Sequence, residues 1–331
     1  MTVVRLGYVA MSVQLSNCSP SQTMTYTQFQ KMGDREAAVR RLERIARSNL
    51  DNCLRLLKHN AALDIRLFRF SSRLVPLATH PDLAGWDYMA AIAEPLGAIA
   101  AFLERQPMRV DFHPDHFVLL NAPDSDIFRM SVKTLRMHEK LLRGVGVDPA
   151  HRCVLHVGGG YGDKERALER FIERWSDLPA DLQRMILLEN DDTTFTLRDT
   201  LLLCEKLGVP LVFDLHHHLA CHEQPDWTAE WERVVATWRH SPLPVKMHIS
   251  SPRDERNFRA HHDFVDPDMF MDFLREIKGT VSQIDCMIEA KQKDAALLRL
   301  MEELKRYPEA ERIDGASFHL RLNGKPPTKR R

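Results

Sequence analysis

The sequence lacks several features that would assign it to a common class of protein at once. Its 46 basic and 46 acidic side chains give a formal net charge of zero, which argues against a basic protein that coats nucleic acid and against an acidic disordered protein. No run of 18 apolar residues is present, so no segment is predicted to cross a membrane. The start of the chain has no signal-peptide pattern, and we therefore expect a cytoplasmic protein.

Cysteine pairs and nucleotide-binding glycine loops are also missing. The six cysteines are scattered without a CxxC pair, which favours reduced core residues over a disulfide framework. The turn after the first apolar run reads GYVAMS and has no GxGxxG fingerprint. The later segment VGGGYGD, residues 157–163, lacks the lysine and the spacing of a P-loop, so we interpret it as a tight turn that brings backbone close to a ligand.

What the sequence does contain is eight short apolar runs, each followed by a segment with helical spacing. The runs are Val4 to Ala10, Asp64 to Phe70, Met108 to His113, Cys153 to Val157, Met185 to Glu189, Pro210 to Asp214, Pro244 to Ile249 and Ser282 to Glu289. The helical segments begin after Asp34, a predicted N-cap, and then cover Asp87 to Glu104, Asp126 to Arg143, Asp163 to Trp175, Thr196 to Leu207, Thr228 to Arg239, Asp268 to Ile277 and Ala290 to Lys305.

This alternation predicts an α/β protein, and eight such units suit a single-domain TIM (β/α)₈ barrel better than an open doubly wound sheet. We expect the barrel over residues 1–306. A long polar loop at residues 12–33 is either functional or mobile. A C-terminal extension at residues 307–331 ends in the basic tail KPPTKRR, and we expect this extension to be poorly ordered.

Side chains that bind metals follow most of the predicted strands. They are His113, His156, Glu189, Asp214 with His217, Lys246 with His248, and Glu289. In a TIM barrel the carboxyl ends of the strands converge on the rim that holds the active site. Carboxylates placed directly after buried runs need cationic partners. The pattern therefore predicts a site for several divalent ions, and its nitrogen and oxygen donors favour zinc or manganese, allow magnesium, and argue against copper and iron–sulfur clusters.

Other polar residues have more ordinary interpretations. A single histidine at a strand end is more often a structural residue than a ligand. A separate zinc site is one interpretation of His216, His218, Cys221 and His222, but we favour loop or supporting roles for them. Arg66 and Arg69 suit anion binding or salt bridges. Six more histidines are expected at the surface: His59, His80, His138, His151, His240 and His319.

Taken in order, many short segments give the chain a resemblance to the UV-damage endonucleases, DNA repair enzymes related in fold to endonuclease IV. The matching segments are GY (Gly7, Tyr8), NCLRLLKHN (Asn52 to Asn60), IRLFRFSSRLVP (Ile65 to Pro76), FHPDHF (Phe112 to Phe117), LHVGG (Leu155 to Gly159), LEND (Leu188 to Asp191), VFDLHHH (Val212 to His218), VKMHIS (Val245 to Ser250), HHDF (His261 to Phe264) and MIEAKQKD (Met287 to Asp294).

The resemblance implies a metal-dependent endonuclease that cuts damaged duplex DNA on the 5′ side of cyclobutane pyrimidine dimers, 6-4 photoproducts and in some cases abasic sites, leaving a 3′-hydroxyl and a 5′-phosphate. It implies two or three divalent ions, with manganese favoured over magnesium, cobalt or zinc. Carried over by motif, the ligands are Glu189 between two metals, His113 and His156 on one of them, Asp214, His248 and Glu289 on the other, and His217 and His261 on a third.

Further roles come from the same resemblance. Glu189, Lys246, His248 and Glu289 would form the catalytic set, and Lys246 matches a family lysine that can be carboxylated. Tyr8, His116, Phe117, Arg66 and Arg69 would face DNA or the lesion. The family usually shows HPGQ followed by an aromatic residue where this chain has HPDHF, so His116 replaces a glutamine.

Two other functions compete with DNA repair. Related barrels hold two metals with Glu, Asp and His to isomerise or epimerise a small sugar, and a non-catalytic DNA-binding protein could keep the fold. The histidines of the third metal and the arginine-bearing IRLFRFSS segment argue against a sugar enzyme, and the complete ligand set argues against an inactive protein. Two or three bound ions would add roughly four to six positive charges to the rim of this neutral chain. We also expect the protein to be a monomer and to associate with the nucleoid when it acts.

Overall fold

The computed structural model describes residues 1–321, which divide into two compact units. The first unit contains residues 1–14, residues 60–68 and the chain from Leu187 onward. The second unit contains residues 15–59 and 69–186. Each unit carries part of the eight-stranded pattern.

Eight strands follow the predicted apolar runs, and each run overlaps one of them. They are β1 (Thr2–Val9), β2 (Leu67–Arg69), β3 (Arg109–Asp111), β4 (Cys153–His156), β5 (Ile186–Glu189), β6 (Leu211–Asp214), β7 (Val245–Ile249) and β8 (Gln283–Ile288). Helices separate successive strands, and this alternation of eight parallel strands with helices is the TIM barrel fold. The predicted fold class is confirmed.

In the first unit, β5, β6, β7, β8 and β1 pair in parallel in that order. Asp214 is the register partner of His248, and Lys246 is the partner of Asp285, which in turn pairs with Arg5. Because register partners in a sheet point to the same side, Asp214 and His248 lie side by side at the carboxyl ends of their strands. The side chain of Arg5 donates two hydrogen bonds of 2.7 Å to the buried Asp285 carboxylate at the level of Lys246.

The helices are α1 (Tyr26–Lys31), α2 (Arg35–Ala62), α3 (Tyr88–Ala91), α4 (Ala93–Arg105), α5 (Ser125–Gly144), α6 (Lys164–Trp175), α7 (Ala180–Met185), α8 (Leu197–Leu207), α9 (Leu215–Ala220), α10 (Thr228–Thr237), α11 (Pro267–Glu276) and α12 (Lys293–Glu303). The short helices α1, α7 and α9 were not predicted, and the others agree with the predicted segments to within a few residues. The Asp34 carboxylate accepts from the backbone N–H groups of Glu36 and Ala37, which confirms it as the cap of α2. All six cysteines are free thiols, and only Cys221 among them is not buried.

The polar loop at residues 12–33 contains a short helix, α1, that the sequence pattern did not predict. Thr25 and Gln28 form a reciprocal capping box at its start. Met24 and Phe29 are buried in an apolar cluster with Leu42 of α2. The part of the loop around α1 is therefore anchored by apolar packing that its polar composition concealed.

The expectation of a poorly ordered extension is wrong for residues 307–321. Two short strands, β9 (Ala310–Arg312) and β10 (Ser317–Leu320), pair with each other, and β10 also pairs antiparallel with β1. Phe318 and Leu320 alternate with the half-buried His319 and are each 1% exposed. Burial of these two side chains and the β1 ladder hold the segment in place. The tail KPPTKRR lies outside the described residues.

The expected surface position of His138 is also wrong, because α5 buries this residue to 1% exposure. Its Nδ1 lies 2.8 Å from the Thr134 carbonyl oxygen and its ring packs edge-on against Phe112. Burial lowers the pKa of His138 to about 4. The hydrophobic environment therefore keeps this imidazole neutral at neutral pH.

This burial predicts a loss of stability in acid. The unfolded chain takes up a proton at His138 below its ordinary pKa of 6.5, whereas the folded chain does not until about pH 4. The free energy of unfolding should therefore fall by roughly 3 kcal/mol between these pH values through this group alone. Chemical denaturation of wild type and His138→Phe from pH 7 to pH 4.5 measures it. The pH dependence should be weaker in the variant, and parallel curves for the two proteins would contradict the prediction.

Candidate metal centre at the ends of the strands

In the first unit, the fold places five of the predicted ligands at the carboxyl ends of neighbouring strands. Glu189 and Asp214 are the last residues of β5 and β6, and His217 lies in the first turn of α9. His248 lies in β7, and Glu289 directly follows β8. The parallel pairing of β5 to β8 brings these side chains to one edge of the sheet.

The side chains form a compact buried cluster. The Glu189 carboxylate oxygen Oε1 lies 2.7 Å from Nδ1 of His248 and 3.4 Å from Nδ1 of His217. Nδ1 of His248 is also 3.4 Å from Oε1 of Glu289, and Nδ1 of His217 is 3.7 Å from Oδ2 of Asp214. Two sets of three ligand atoms lie close enough together to hold a metal ion: Glu189 with Asp214 and His217, and Glu189 with His248 and Glu289.

Asn190 organises this edge, and sequence reasoning gave it no role. Its side chain donates to the Asp214 carbonyl oxygen and accepts from the Asp214 backbone N–H, both at 2.9 Å. Asp214 in turn caps α9 by accepting from the backbone N–H of His217 at 2.8 Å. The position of Asn190 directly after Glu189 in LEND was the only available signal for its role. Asn190 thus connects the ends of β5 and β6 and holds Asp214 in place.

The cluster is electrostatically negative. Burial raises the pKa of Asp214 to about 6, with further upward contributions from Glu189 and Glu289 that His217 opposes. For His217, burial by itself lowers the pKa, but Asp214, Glu189 and Glu289 outweigh it and raise the value to about 10. Three carboxylates that raise the proton affinity of a buried imidazole this far would also attract a divalent cation.

The donor atoms fit such an ion. Oδ2 of Asp214 is buried and accepts no hydrogen bond from the described residues. Nδ1 of His217 lies 2.9 Å from the Asn190 carbonyl oxygen, and Nδ1 of His261 lies 2.6 Å from that of Glu289. Because a carbonyl oxygen only accepts, both Nδ1 atoms donate, so Nε2 is the nitrogen of each ring that would bind a metal ion in place of a proton. The two ring centres are 6.5 Å apart. These residues therefore fit a metal centre of nitrogen and oxygen ligands.

The second unit brings His113 and His156 together. His156 is the last residue of β4, His113 lies two residues after β3, and their ring centres are 5.0 Å apart. Nδ1 of His113 donates to the Pro114 carbonyl oxygen at 3.2 Å. Both rings are partly exposed, which is the position expected of ligands on the rim of a barrel.

The HPDHF segment that follows β3 presents two aromatic rings to solvent. His116 and Phe117 are both exposed, Phe117 to 71%, and their ring centres are 4.1 Å apart. Asp115, at the position where the family usually has glycine, accepts from the Ser72 hydroxyl at 3.2 Å and pairs with Arg73 at 3.4 Å. The departure from the family motif therefore ties this segment to the residues that follow β2.

The structure gives the remaining predicted residues quite different environments. Tyr8 is fully buried, and its hydroxyl donates to the Asn60 side-chain oxygen at 2.6 Å. Arg69 is 7% exposed and lies 3.9 Å from the Asp111 carboxylate. Arg66 is exposed but precedes β2, at the amino end of the strand. Lys246 is fully buried in β7, two residues before His248.

His216 is a connecting residue whose specific partners the sequence did not indicate. It is 1% exposed, and its Nε2 donates to the Phe258 carbonyl oxygen at 2.6 Å. Its Nδ1 lies 2.7 Å from the Ser250 hydroxyl. The ring thus joins α9 to the segment that follows β7 and carries His261.

Replacement of His216 by phenylalanine should destabilise the protein. The change leaves the Ser250 hydroxyl and the Phe258 carbonyl without these partners, and we expect the free energy of unfolding to fall by about 2 kcal/mol. The matched control is His222→Phe at an exposed position, which should cost less than about 0.5 kcal/mol. Urea denaturation of both variants measures the difference, and equal losses would contradict the connecting role.

The fold and the candidate site together define the class of enzyme to which the chain belongs. A TIM barrel with imidazole and carboxylate groups clustered at the carboxyl ends of its strands has the architecture of a barrel enzyme with a candidate metal centre. The family model described as UV-endonuclease UvdE matches residues 4–319. The chain belongs to this family, and it is an enzyme of the DNA repair endonuclease class. No helix among the described residues is long and apolar enough to span a membrane.

Individual relatives agree with this assignment. A UV DNA damage endonuclease of Halalkalibacterium halodurans is 53% identical over 307 residues, which are 92% of this chain and 95% of the relative. The crystal structure of SacUVDE superimposes with a TM-score of 0.80 at 27% identity and covers 92% of this chain and 98% of the other. Endonuclease IV from Thermus thermophilus, at 16% identity and a TM-score of 0.52 over 91% of this chain and 99% of the other, shares the fold.

Proposed function

We propose that this enzyme incises duplex DNA on the 5′ side of UV photoproducts and leaves a 3′-hydroxyl and a 5′-phosphate. The substrates would be cyclobutane pyrimidine dimers and 6-4 photoproducts, with abasic sites as a further class. The observation that carries the proposal is the buried cluster of Glu189, Asp214, His217, His248 and Glu289 in a chain that belongs to the UvdE family. Family membership favours this function over the sugar isomerase or epimerase.

The proposed ligand set is the one the sequence motifs imply. Glu189 would contact two ions, with His113 and His156 as ligands of one and Asp214, His248 and Glu289 as ligands of the other. His217 and His261, whose Nδ1 atoms both donate to backbone carbonyl oxygens, would hold a third. Bound divalent ions would supply charge stabilisation at the scissile phosphate and lower the pKa of water near neutrality. Manganese is the favoured ion, with magnesium, cobalt and zinc as alternatives.

The chain itself would supply binding and proton acceptance. The carboxylates of Glu189 and Glu289 would hold the centre and accept protons from the attacking water. Lys246, buried two residues before His248, is the proposed site of carboxylation, which would convert a cation beside the centre into an oxygen ligand. Intact-protein mass spectrometry would detect this modification as added carbon dioxide.

The proposed DNA-facing residues have unequal support. His116 and Phe117 are exposed beside one another and could stack against bases that the lesion leaves poorly paired. Arg66 is exposed and available to phosphate, whereas Tyr8 and Arg69 are buried. Tyr8 and Arg69 would therefore influence DNA binding indirectly, through the side chains that they contact. The enzyme would act as a monomer in the cytoplasm and associate with the nucleoid while it acts.

A nicking assay tests the proposed function. Supercoiled plasmid irradiated with UV light should be converted to the relaxed form by the purified protein with Mn²⁺, and unirradiated plasmid should stay supercoiled. A duplex with one defined photoproduct then maps the cut, which should lie 5′ to the lesion and leave an end that a DNA polymerase extends. An irradiated plasmid left intact by protein that converts a sugar would refute the proposal.

A further inference from the structure

The loop at residues 157–163 in the second unit has no role in the proposed function. It directly follows His156, the last residue of β4 and a proposed metal ligand. The loop ends in a turn in which the Asp163 backbone N–H donates to the Gly160 carbonyl oxygen at 3.0 Å, and α6 begins directly after it. Because the carboxyl ends of the strands form the active rim of a TIM barrel, the loop lies on the face where DNA would bind.

Asn121 fixes the first part of this loop. Its side chain donates to the Gly159 carbonyl oxygen at 2.8 Å and accepts from the Gly159 backbone N–H at 3.2 Å. Asn121 is fully buried. Gly158 has a φ of +121°, and a Cβ atom at this position would lie 2.2 Å from the Asn121 side-chain oxygen. Only glycine therefore fits between β4 and the pair of hydrogen bonds that holds the loop.

Arg170 of α6 joins the same amide to the tip of the loop. Its Nε donates to the Asn121 backbone carbonyl oxygen at 2.8 Å, and its guanidinium group lies over the Tyr161 ring, 5.6 Å from the ring centre. The Tyr161 ring in turn lies so close to Gly159 that a Cβ atom there would be 2.9 Å from it. These contacts close a ring that starts and ends at Asn121, and Tyr161 is held within it.

The network imposes an uncommon backbone conformation on an exposed side chain. Tyr161 has a φ of +50°, in the left-handed region that few residues other than glycine adopt. The residue is 44% exposed, and no described residue hydrogen-bonds to its hydroxyl group. A strained residue of this kind persists only where the surrounding contacts enforce it, and such residues cluster at functional sites. Burial of the ring does not account for it, because almost half of the residue remains exposed.

We propose that Tyr161 is a DNA-binding residue whose hydroxyl group donates a hydrogen bond to a backbone phosphate. Tyrosine is among the side chains that contact phosphate oxygens in protein–DNA complexes. Arg170 already covers one face of the ring, so the hydroxyl group is the better contact than a face for base stacking. The network fixes this group before DNA arrives, which lowers the entropy lost on binding. The inference rests on the proposed function, because that function supplies DNA as the partner.

Tyr161→Phe removes only the hydroxyl group, and Tyr88→Phe is the matched control. Tyr88 lies in α3 of the same unit, and the Lys140 ammonium group lies over its ring, 6.0 Å from the ring centre. Lys140 is close to the carboxyl end of α5, the end of a barrel helix that is remote from the active rim. The control therefore makes the same change far from the expected DNA.

Two measurements with Mn²⁺ test the contact. KM for incision of a duplex with one photodimer, and Kd for the same duplex without damage by fluorescence anisotropy, should each rise about tenfold in Tyr161→Phe. The two rise together because a phosphate contact carries no information about the base. The change should appear in KM rather than in kcat, since the contact is made in the bound and the transition state alike. Tyr88→Phe should match wild type.

A double-mutant cycle tests the positioning role of Arg170. Arg170→Met removes the hydrogen bond to Asn121 and the cation over the ring, and it should raise Kd for the undamaged duplex severalfold. In combination with Tyr161→Phe it should raise Kd no further, because Arg170 acts through the tyrosine hydroxyl. Losses that multiply would overturn this role and show that Arg170 contacts DNA by itself. Thermal unfolding establishes that each variant folds.

The outcomes separate the two proposals. A wild-type protein that cuts no photodimer duplex refutes the proposed function, and the phosphate contact falls with it. A wild type that cuts the duplex, with unchanged KM and Kd in Tyr161→Phe, refutes the contact alone. If Tyr161→Ala raises KM for the photodimer duplex and Tyr161→Phe does not, the ring stacks on a base and the phosphate contact is wrong.

Discussion

Glu189→Gln should abolish incision while leaving some DNA binding. Oε1 of Glu189 lies 2.7 Å from Nδ1 of His248 and 3.4 Å from Nδ1 of His217, so this carboxylate lies at the centre of the proposed site. Glutamine keeps the shape of the side chain but is a poor metal ligand and no proton acceptor. We expect kcat for cutting a photodimer duplex to fall by at least about 10³-fold, measured under single-turnover conditions.

The control for this variant is Glu255→Gln, an exposed glutamate in the segment that follows β7. It removes the same charge from the same unit without touching the cluster, and it should leave kcat unchanged. Fluorescence anisotropy with the same duplex reports binding for both variants. Unchanged incision by Glu189→Gln would show that the centre is misplaced, and loss of binding with loss of the folded state would show a structural role.

Removal of divalent ions should eliminate incision and also weaken DNA binding. The chain has a formal net charge of zero, and its proposed centre is lined by three carboxylates, so without ions this region repels phosphate. Two or three bound ions would add roughly four to six positive charges there. The affinity for a photodimer duplex should therefore drop after treatment with EDTA, and its dependence on salt concentration should become less steep.

Anisotropy titrations at several salt concentrations, with and without EDTA, measure both effects. Addition of excess Mn²⁺ should restore incision and affinity together, which excludes irreversible unfolding by the chelator. An affinity that EDTA leaves unchanged would refute the electrostatic argument, although the enzyme assignment would stand on its own evidence. Incision that persists after complete metal removal would refute the metal centre itself.

The cluster in the first unit was largely predictable because its signal is local in the sequence. A carboxylate such as Glu189 directly after the apolar run MILL marks the carboxyl end of a buried strand, and parallel strands bring such ends to one edge. The pairing of Asp214 with His248 follows from that rule. The role of Asn190 could not be predicted in this way, because a side chain that hydrogen-bonds to the backbone of another strand leaves no periodic pattern in the sequence.

Burial of individual side chains was the less predictable property. His138 lies on α5 like many surface histidines, but the helix turns it toward Phe112, a residue distant in sequence. The extension after Tyr307 has a polar composition, but β10 pairs antiparallel with the first half of β1, from Thr2 to Arg5. In both cases the deciding contact joins residues that no short sequence window contains.

The sequence by itself determined the fold class, the family and the residue types of the candidate metal centre. These properties depend on apolar runs and on the order of short motifs, which can be read from residues that are neighbours in the sequence. Only the tertiary structure decided which side chains are enclosed: Tyr8 buried against Asn60, Asp115 bound to Arg73, and His138 packed against Phe112. The reason is physical. Desolvation and hydrogen bonding depend on every element that packs around a group, and that environment exists only in the folded chain.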